Sequence, residues 1–329
     1  MKEKSKIFFR ADAGPQIGYG HFIRTLALAD MLKEDFDCVL VTVNPTDYQI
    51  NEMSKVCRFI PLQAENHFDS FLSILQGEEI VVLDNYFFTT DYQKAIKEKG
   101  CKLVCVDDLH DKYYVADVVI HQGNAFLSMF SSEAYTKFCI GYDWILLRRP
   151  FLEAFKNFKS RRIVEKIEKI AICFGGADMY NFTDKTVRLL QTMPNISQVD
   201  AIVGNYYQGD IPLDKFTKLK LYRNISAESI VDIFTHCDLA VVSTSTVCFE
   251  AMACHAMLAV GYYVDNQKVF YEYLTNNKMA KGLGNFLDNS FIDYLCTFIN
   301  QYDNTEEILS LKLNLNDLRQ RYINLFKEL

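Results

Sequence analysis

The sequence predicts an α/β protein built from two doubly wound units. Short apolar, β-branched runs alternate with longer amphipathic stretches, the pattern of βαβ units around a parallel sheet. The alternation breaks at a charged stretch over residues 152–168 and then restarts. The length of 329 residues also favours two domains, because single hydrophobic cores stop growing near ~250–300 residues.

In the first half, the predicted strands are continuous apolar runs, as expected of parallel strands buried on both faces. Amphipathic stretches between them predict the crossover helices. The strands are predicted over residues 6–10, 38–43, 80–83, 102–106 and 118–121, and the helices over 20–33, 46–55, 69–76 and 90–99.

The second half repeats this architecture without repeating the sequence. Its strands are predicted over residues 170–174, 199–203, 218–222, 239–243 and 257–262, and its helices over 183–191, 226–236, 246–253 and 269–276. The leucine spacing of the last segment predicts a helix that caps one of the two domains. The chain thus divides into a first domain over 1–151, a linker over 152–168, a second domain over 169–305 and a C-terminal helix over 306–329.

Composition excludes several classes of protein. Half of the residues are apolar and the net charge is −7, which argues against disorder and against nucleic acid or an anionic membrane as the main partner. No apolar run approaches the ~18–20 residues of a membrane span, and the polar start predicts no signal peptide. The ten cysteines are scattered without CxxC or zinc spacing, so we expect reduced thiols in a cytoplasmic protein.

The most informative motif is a glycine-containing loop between the first strand and the first helix. Gly14, Gly18 and Gly20 allow a tight turn and close approach of backbone N–H groups to a ligand. The following helix N-terminus offers free N–H donors and a partial positive charge, which suits a phosphate. The loop is not GxGxxG and no Walker lysine follows, so both common nucleotide fingerprints are missing from it.

Two side chains of this loop are candidate catalytic residues. His21 lies in the first turn of the helix, where the imidazole stays neutral and can accept a proton as a general base. The alternative for His21 is a surface or capping histidine. Asp12 either contacts substrate, orients His21 or caps the loop, and the sequence leaves these alternatives open.

Two turns of the second domain resemble the first loop in design. Gly176 and Asp178 follow a predicted strand, and a hydroxyl-rich turn with Ser245 and Thr246 precedes a predicted helix whose N-terminus suits phosphate oxygens. Glu250, one turn later, either accepts the ribose hydroxyls or forms half of a capping box that starts at Thr246 or Val247. In a further turn, at residues 223–228, Ser226 is predicted as an N-cap.

Taken together, these motifs resemble the PseG family, the UDP-2,4-diacetamido-2,4,6-trideoxy-β-L-altropyranose hydrolases of pseudaminic acid biosynthesis. That family is related to MurG-type glycosyltransferases and shares their GT-B fold, so the resemblance implies two Rossmann-like domains that face an interdomain cleft. The turn with Glu250 and the later Asp265-Asn266-Gln267 complete the match, which covers most of the chain. The matching segments, in family order, are Arg10-Ala11-Asp12 with Ile17-Gly18-Tyr19-Gly20-His21, Val106-Asp107-Asp108, residues 141–151, and Gly175-Gly176-Ala177-Asp178.

The resemblance implies an activity: hydrolysis of this nucleotide sugar at the anomeric carbon, releasing UDP and the free sugar, without metal or other cofactor. His21 would activate the water, Glu250 would bind the ribose and Ile225 would offer its backbone to uracil. A MurG-like UDP-sugar glycosyltransferase and a non-catalytic nucleotide-sugar binding protein are the alternatives. The full set of implied substrate-binding residues is Gly18, Gly20, Tyr86, Gly176, Asp178, Ile225, Ser245, Thr246, Glu250, Asn266 and Gln267.

Some residues depart from the family pattern. His110 and Asp111 follow Asp107-Asp108 where many relatives carry a basic residue nearby. The two aspartates are adjacent rather than alternating, so they predict a loop cap or a sugar contact instead of an Asp-x-Asp metal motif. Since the net charge of −7 does not attract an anionic nucleotide sugar from afar, we expect local N–H and hydroxyl donors to supply most of its recognition.

Overall fold

The computed structural model describes residues 4–14, 17–158, 164–211, 215–303 and 313–329. The chain divides into two units by the density of its internal contacts. The first unit comprises Met1–Ala13, His21–Arg149 and Asn314–Leu329, and the second unit comprises Gly14–Gly20 and Pro150–Leu313.

The first unit contains a seven-stranded sheet whose neighbouring strands all run parallel. The predicted strands are confirmed as its central members, with ends that differ by one residue at most. Its elements are β1 (Lys6–Ala11), β2 (Asp37–Val43), β3 (Arg58–Leu62), β4 (Ile80–Asp84), β5 (Lys102–Val106), a small two-stranded pair of β6 (Tyr113–Tyr114) and β8 (Ser131–Ser132), β7 (Val118–His121) and β9 (Lys137–Ile140). The order of the large sheet is β3-β2-β1-β4-β5-β7-β9, so β1 pairs with β4 although two strands separate them in sequence.

Helices connect these strands, and α1 is buried on nearly all sides. They are α1 (Gly20–Leu32), α2 (Asp47–Val56), α3 (His67–Ile74) and α4 (Thr90–Glu98). Thr46 and Thr89 cap α2 and α4 by accepting the N–H groups of Gln49 and Tyr92. The buried core includes Phe8, Phe71, Phe88, Ile96 and Leu103.

The second unit repeats the parallel arrangement with six strands. Its order is β12-β11-β10-β13-β14-β15, again with the first strand of the unit beside the fourth. Its elements are α5 (Arg149–Asn157), β10 (Lys169–Cys173), α6 (Phe182–Thr192), β11 (Gln198–Val203), β12 (Leu219–Arg223), α7 (Ala227–His236), β13 (Leu239–Ser243), α8 (Thr246–Ala253), β14 (Leu258–Tyr262), α9 (Asp265–Asn276), β15 (Lys281–Asn285) and α10 (Ser290–Gln301).

The two segments predicted as a linker and as a terminal helix have definite structures where they are described. Part of the 152–168 stretch belongs to α5, while residues 159–163 lie outside the described residues. The predicted C-terminal helix is α11 (Leu318–Lys327), and residues 304–312 lie outside the described residues. Helix α11 belongs to the first unit, where Phe326 packs on Phe36 and the Tyr322 hydroxyl donates to the carbonyl of Trp144.

Each parallel sheet brings the carboxyl ends of its strands to one edge, where ligands bind in doubly wound folds. In the first unit this edge contains Asp12, Asp84 and Asp107, which end or follow β1, β4 and β5. The β1–β4 register pairs Ala11 with Asp84. All ten cysteines are free thiols, as predicted, and no described helix has the length and apolar character of a membrane span.

Candidate active site

His21 is held by a buried carboxylate at the sheet edge of the first unit. It is the second residue of α1, and 5% of it is exposed. Its Nδ1 lies 2.7 Å from Oδ1 of Asp84, the last residue of β4, which is fully buried. Because an ionised carboxylate only accepts hydrogen bonds, His21 carries its proton on Nδ1 and presents Nε2 as the basic nitrogen.

Arg24, one helical turn after His21, connects two carboxylates. Its Nε and Nη2 donate to the two oxygens of Asp84 at 2.7 and 2.6 Å. Its Nη1 donates to both oxygens of Asp108 at 2.8 Å. Thr25 adds a hydrogen bond of 2.9 Å from its hydroxyl to Asp84. This network fixes the carboxylate that orients His21.

The charge of Arg24 keeps both carboxylates ionised. Burial alone would raise the pKa of Asp84, but the guanidinium of Arg24 and the hydrogen bonds from Arg24 and His21 hold that pKa below its usual value. For Asp108, too, burial alone would raise the pKa, but Arg24 lowers it, and the net shift is downward. Asp84 therefore stays a charged acceptor for His21 at neutral pH.

Tyr86 lies against His21. Its ring meets the imidazole edge-on at a centroid distance of 4.5 Å, and its hydroxyl donates to Oδ2 of Asp108 at 3.3 Å. The residue is 40% exposed, so a ligand can reach it beside the buried His21.

Asp12 is buried in a different set of contacts. Its Oδ1 accepts hydrogen bonds from the Arg10 guanidinium at 2.5 Å, from the Val43 amide at 2.7 Å and from the Thr42 hydroxyl at 3.2 Å. Its own amide donates to Asn85. The orienting position at Nδ1 of His21 belongs to Asp84 instead. Of the alternatives for Asp12, orientation of His21 is not what the geometry shows, and the contacts with Arg10, Thr42 and Val43 fit a cap of the loop.

The loop before α1 folds as a tight glycine turn. Gly14 and Gly18 exchange two backbone hydrogen bonds, of 3.2 and 2.8 Å. Gly18 has a φ of +68°, which glycine adopts without strain. Gly20 begins α1. Pro15 and Gln16 lie outside the described residues.

In the second unit, Gly176 and Asp178 form the turn after β10. A Cβ on Gly176 would lie 2.5 Å from the Tyr19 ring and would collide with it, so a glycine is required there. The Asp178 carboxylate accepts the amides of Phe182 and Thr183 at 2.9 and 2.8 Å. Asp178 thus caps the start of α6, a use that the sequence did not predict for it.

The hydroxyl-rich turn lies between β13 and α8, as predicted. Ser245 precedes the first helical residue, Thr246, and its hydroxyl lies 3.0 Å from that of Ser243. Helix α8 has no side-chain capping bond at its N-terminus, so the capping-box alternative for Glu250 is wrong. Glu250 lies in the middle of α8 and is 4% exposed.

The remaining predicted residues follow two separate strands of the second unit, β14 and β12. Gln267 is buried in the first turn of α9 and ties two turns together: its Oε1 accepts the Tyr263 amide and its carbonyl accepts the Thr244 hydroxyl. Asn266 precedes it and is half-buried. Ile225, also half-buried, follows β12 directly before Ser226, which is confirmed as the N-cap of α7.

Comparisons with known proteins place these sites in context. No protein-family model matches the chain. It is 26% identical over 276 residues to the UDP-2,4-diacetamido-2,4,6-trideoxy-β-L-altropyranose hydrolase of Campylobacter jejuni, covering 80% of this chain and 93% of the relative. The resemblance to this hydrolase is confirmed. The chain is also 24% identical over 303 residues to the uncharacterized protein MJ1062 of Methanocaldococcus jannaschii, a match that covers 88% of this chain but only 62% of that protein.

Solved structures support the same fold. Acinetobacter baumannii MurG matches 99% of this chain and all of its own chain with a TM-score of 0.63 at 10% identity. Anabaena HepE in complex with UDP-glucose matches 98% of this chain and all of its own, also with a TM-score of 0.63, at 12% identity. The predicted fold class, α/β of the GT-B type with Rossmann-like units, is confirmed.

Sequence reasoning missed the partners of His21. Neither Asp84, which closes the apolar strand β4, nor Arg24 in α1 was predicted as a site residue. The order of the sheet contains the signal: if β4 lies beside β1, a carboxylate at the end of β4 faces the start of α1. Asp107 accepts the amides of Leu109 and His110, so its predicted role as a loop cap is confirmed.

Proposed function

We propose that the chain hydrolyses a UDP-sugar at the anomeric carbon and releases UDP. The observation that supports this most directly is the hydrogen bond between Asp84 and Nδ1 of His21, which leaves Nε2 as a fixed base beside an accessible Tyr86. The Campylobacter relative is by name a hydrolase of a UDP-diacetamido-trideoxy-altropyranose, and we extend that substrate to this chain. UDP-sugar processing by an enzyme is the coarser conclusion that the relatives support.

In the proposed reaction, Nε2 of His21 takes a proton from water as the water oxygen attacks the anomeric carbon. The bond from that carbon to the β-phosphate oxygen breaks, and UDP leaves with the electron pair. Asp84 stabilises the imidazolium that forms, since it is ionised and 2.7 Å from Nδ1. A positioned base of this kind contributes ~10²–10⁴-fold to a rate.

The leaving diphosphate needs hydrogen-bond donors rather than a further base. The second unit offers candidate donors where α8 begins, in the hydroxyls of Ser245 and Thr246 and the N–H groups of the first helical turn. Gly176 lies in the turn after β10, a second place where backbone N–H groups follow a strand end. Preorganised donors of this type stabilise developing negative charge without reorganising during the reaction.

The direct test follows UDP release from UDP-2,4-diacetamido-2,4,6-trideoxy-β-L-altropyranose without added acceptor or divalent metal. Hydrolysis in H₂¹⁸O is expected to leave UDP free of label, because the water attacks carbon. Label in the β-phosphate of UDP would contradict the mechanism. His21→Asn is expected to lower turnover ~10²–10⁴-fold. His236→Asn, a matched change at an exposed histidine of α7, is expected to retain wild-type turnover.

The same assay separates the other readings. UDP release that requires an added hydroxyl acceptor would favour the MurG-like transferase. Recovery of the intact nucleotide sugar after tight binding would favour a non-catalytic binding protein. Either result would overturn the hydrolase proposal, provided that the protein is folded by circular dichroism.

A further inference from the structure

A second histidine, His67, lies at the carboxyl edge of the first sheet and has no part in the proposed reaction. It is the first residue of α3, which comes after β3, and it is half-buried. Its Nδ1 lies 2.8 Å from Nη2 of Arg10, a fully buried residue of β1. Because a guanidinium only donates hydrogen bonds, Nδ1 accepts this one, and the imidazole carries its proton on Nε2.

The imidazole of His67 is neutral and has a free donor. Burial and the positive charge of Arg10 lower the pKa of His67 below its usual value. Among the residues that the structure describes, Nε2 has no hydrogen-bond partner, and it is not one of their enclosed, unpaired polar atoms. His67 therefore offers an uncharged N–H donor to a ligand.

Two exposed aromatic side chains flank this donor. The Phe68 ring lies against the imidazole of His67 at a centroid distance of 4.0 Å, and the Phe87 ring meets it edge-on at 6.0 Å. Phe68 is 36% exposed and Phe87 is 37% exposed, although both contact the buried Phe88. Large apolar side chains grouped at a surface mark binding sites. Apolar rings beside a single polar donor are the usual lining of a small-molecule site.

The loop after β4 connects these rings to the candidate active site. Tyr86 and Phe87 are consecutive, so their Cα atoms lie ~3.8 Å apart. The Tyr86 ring packs on His21, whereas the Phe87 ring packs on His67. A sugar bound against Tyr86 beside His21 therefore has Phe87 and His67 as neighbours for its ring substituents.

We propose that His67, Phe68 and Phe87 form a subsite for an acetamido group of the sugar, an inference that rests on the proposed binding of a UDP-sugar. The carbonyl oxygen of an acetamido group accepts a hydrogen bond, which Nε2–H of His67 donates. Its methyl group is apolar and packs on the two phenylalanine rings. A nucleotide sugar without this group leaves the N–H of His67 unpaired, so the subsite selects against it.

The local charge suits an uncharged group better than a phosphate. The charge of Arg10 is already paired with Asp12, whose Oδ1 lies 2.5 Å from Nη1. Asp69 adds a negative charge in the first turn of α3. The subsite thus has no surplus positive charge for an anion, and the proposed donors for the diphosphate lie in the second unit.

Binding to the full chain measures the contribution of the sugar without reference to turnover. The ligands are UDP and the phosphonate analogue of UDP-2,4-diacetamido-2,4,6-trideoxy-β-L-altropyranose, in which CH₂ replaces the anomeric oxygen and prevents cleavage. Isothermal titration calorimetry gives the gain in affinity of the analogue over UDP. His67→Phe, which removes the donor, is expected to reduce that gain roughly fivefold to tenfold and to leave the affinity for UDP unchanged. His67→Gln, whose amide N–H replaces Nε2–H, is expected to retain most of it.

A second variant keeps the test valid if His67→Phe does not fold. Phe87→Ala preserves the bond between His67 and Arg10 and is expected to reduce the gain at least about threefold. Phe158→Ala is the matched control, because Phe158 is 38% exposed and also packs on a histidine, His255 of the second unit. An analogue that binds no more tightly than UDP, an unchanged gain in folded Phe87→Ala, or an equal loss in Phe158→Ala would overturn the subsite.

The subsite and the hydrolysis fail separately. Hydrolysis of the nucleotide sugar, combined with an unchanged gain in the His67 and Phe87 variants, would refute the subsite alone. A gain that depends on both residues, in a chain that releases no UDP from the natural linkage, would refute hydrolysis alone.

Discussion

Replacing Asp84 by asparagine tests whether His21 works as an oriented base. The carboxylate accepts hydrogen bonds from His21, Thr25 and two nitrogens of Arg24. An amide of the same size keeps one oxygen acceptor but turns an NH₂ group toward donors. It therefore cannot satisfy Arg24 and His21 together, and the Nδ1 proton of His21 loses its charged partner.

The structure sets the size of the expected losses in stability and in turnover. Breaking a buried ion pair costs ~3–5 kcal/mol, and the bidentate contact of Arg24 with Asp108 favours the lower end of that range. A domain stable by ~5–15 kcal/mol tolerates such a loss at low temperature. Turnover should fall by ~10²–10⁴, the contribution of a positioned base. The KM for the nucleotide sugar should change far less, because Asp84 is fully buried and does not reach substrate.

The assay is UDP release by the Asp84→Asn variant at a temperature where circular dichroism shows it folded. Glu79→Gln is the control, because it makes the same chemical change at another buried carboxylate of the first unit. Glu79 bonds to the amides of Gln76 and Gly77, so its loss should reduce stability without lowering turnover. A folded Asp84→Asn protein whose turnover stays within about tenfold of wild type would refute the role given to Asp84.

Three further predictions concern stability. Burial would raise the pKa of Glu79, but hydrogen bonds from the backbone amides of Gly77 and Gln76 lower that pKa overall, so ionised Glu79 stabilises the fold above its unfolded pKa and the stabilisation is lost as pH falls through its folded pKa. The free energy of unfolding in urea should therefore differ between Glu79→Gln and wild type at pH 7 and become equal in acid, and a difference that persists in acid would contradict this. Gly77→Ala should lower the free energy of unfolding by ~2 kcal/mol or more, because Gly77 has a φ of +102° and a Cβ there would lie 2.3 Å from the Lys99 carbonyl oxygen. A Tm equal to that of wild type would contradict this prediction. Asp12→Asn should lower the free energy of unfolding, measured in urea, by ~3 kcal/mol and leave turnover within several-fold of wild type, because it breaks the buried contacts with Arg10 and Val43. A loss of turnover comparable to that of His21→Asn would instead assign Asp12 to catalysis.

The central strands of both sheets were predictable, and several strands at the edges were not. Strands such as β1 and β4 are buried on both faces and appear as unbroken apolar runs. Three strands without a prediction, β3, β9 and β15, all lie at a sheet edge. Strand β3 contains Pro61, which edge strands tolerate, and β15 contains Gly282 and Gly284, which weaken the strand pattern.

The candidate site was predictable in its individual residues but not in its pairings. His21 and Tyr86 could be chosen from motifs, and the structure brings their rings together. The bond between His21 and Asp84 joins residues 63 positions apart and depends on β4 lying beside β1, which neither local propensity nor spacing specifies. The contact between His121 and the carbonyl of Asp107 likewise depends on β5 pairing with β7.

The two units share one architecture but carry different groups at the carboxyl ends of their strands. At its sheet edge the first unit buries charges in pairs, with Arg24 shared between Asp84 and Asp108, and Oδ1 of Asp84 accepts the hydrogen bond from Nδ1 of His21. The corresponding turns of the second unit present hydroxyls and backbone N–H groups, as at Ser245 and Thr246. A base requires a defined proton position, which a buried ion network supplies, whereas a diphosphate is recognised by neutral donors at helix ends without a lasting charge. A chain with a net charge of −7 can therefore bind an anionic nucleotide sugar without a basic surface, which is the arrangement that the proposed hydrolysis requires.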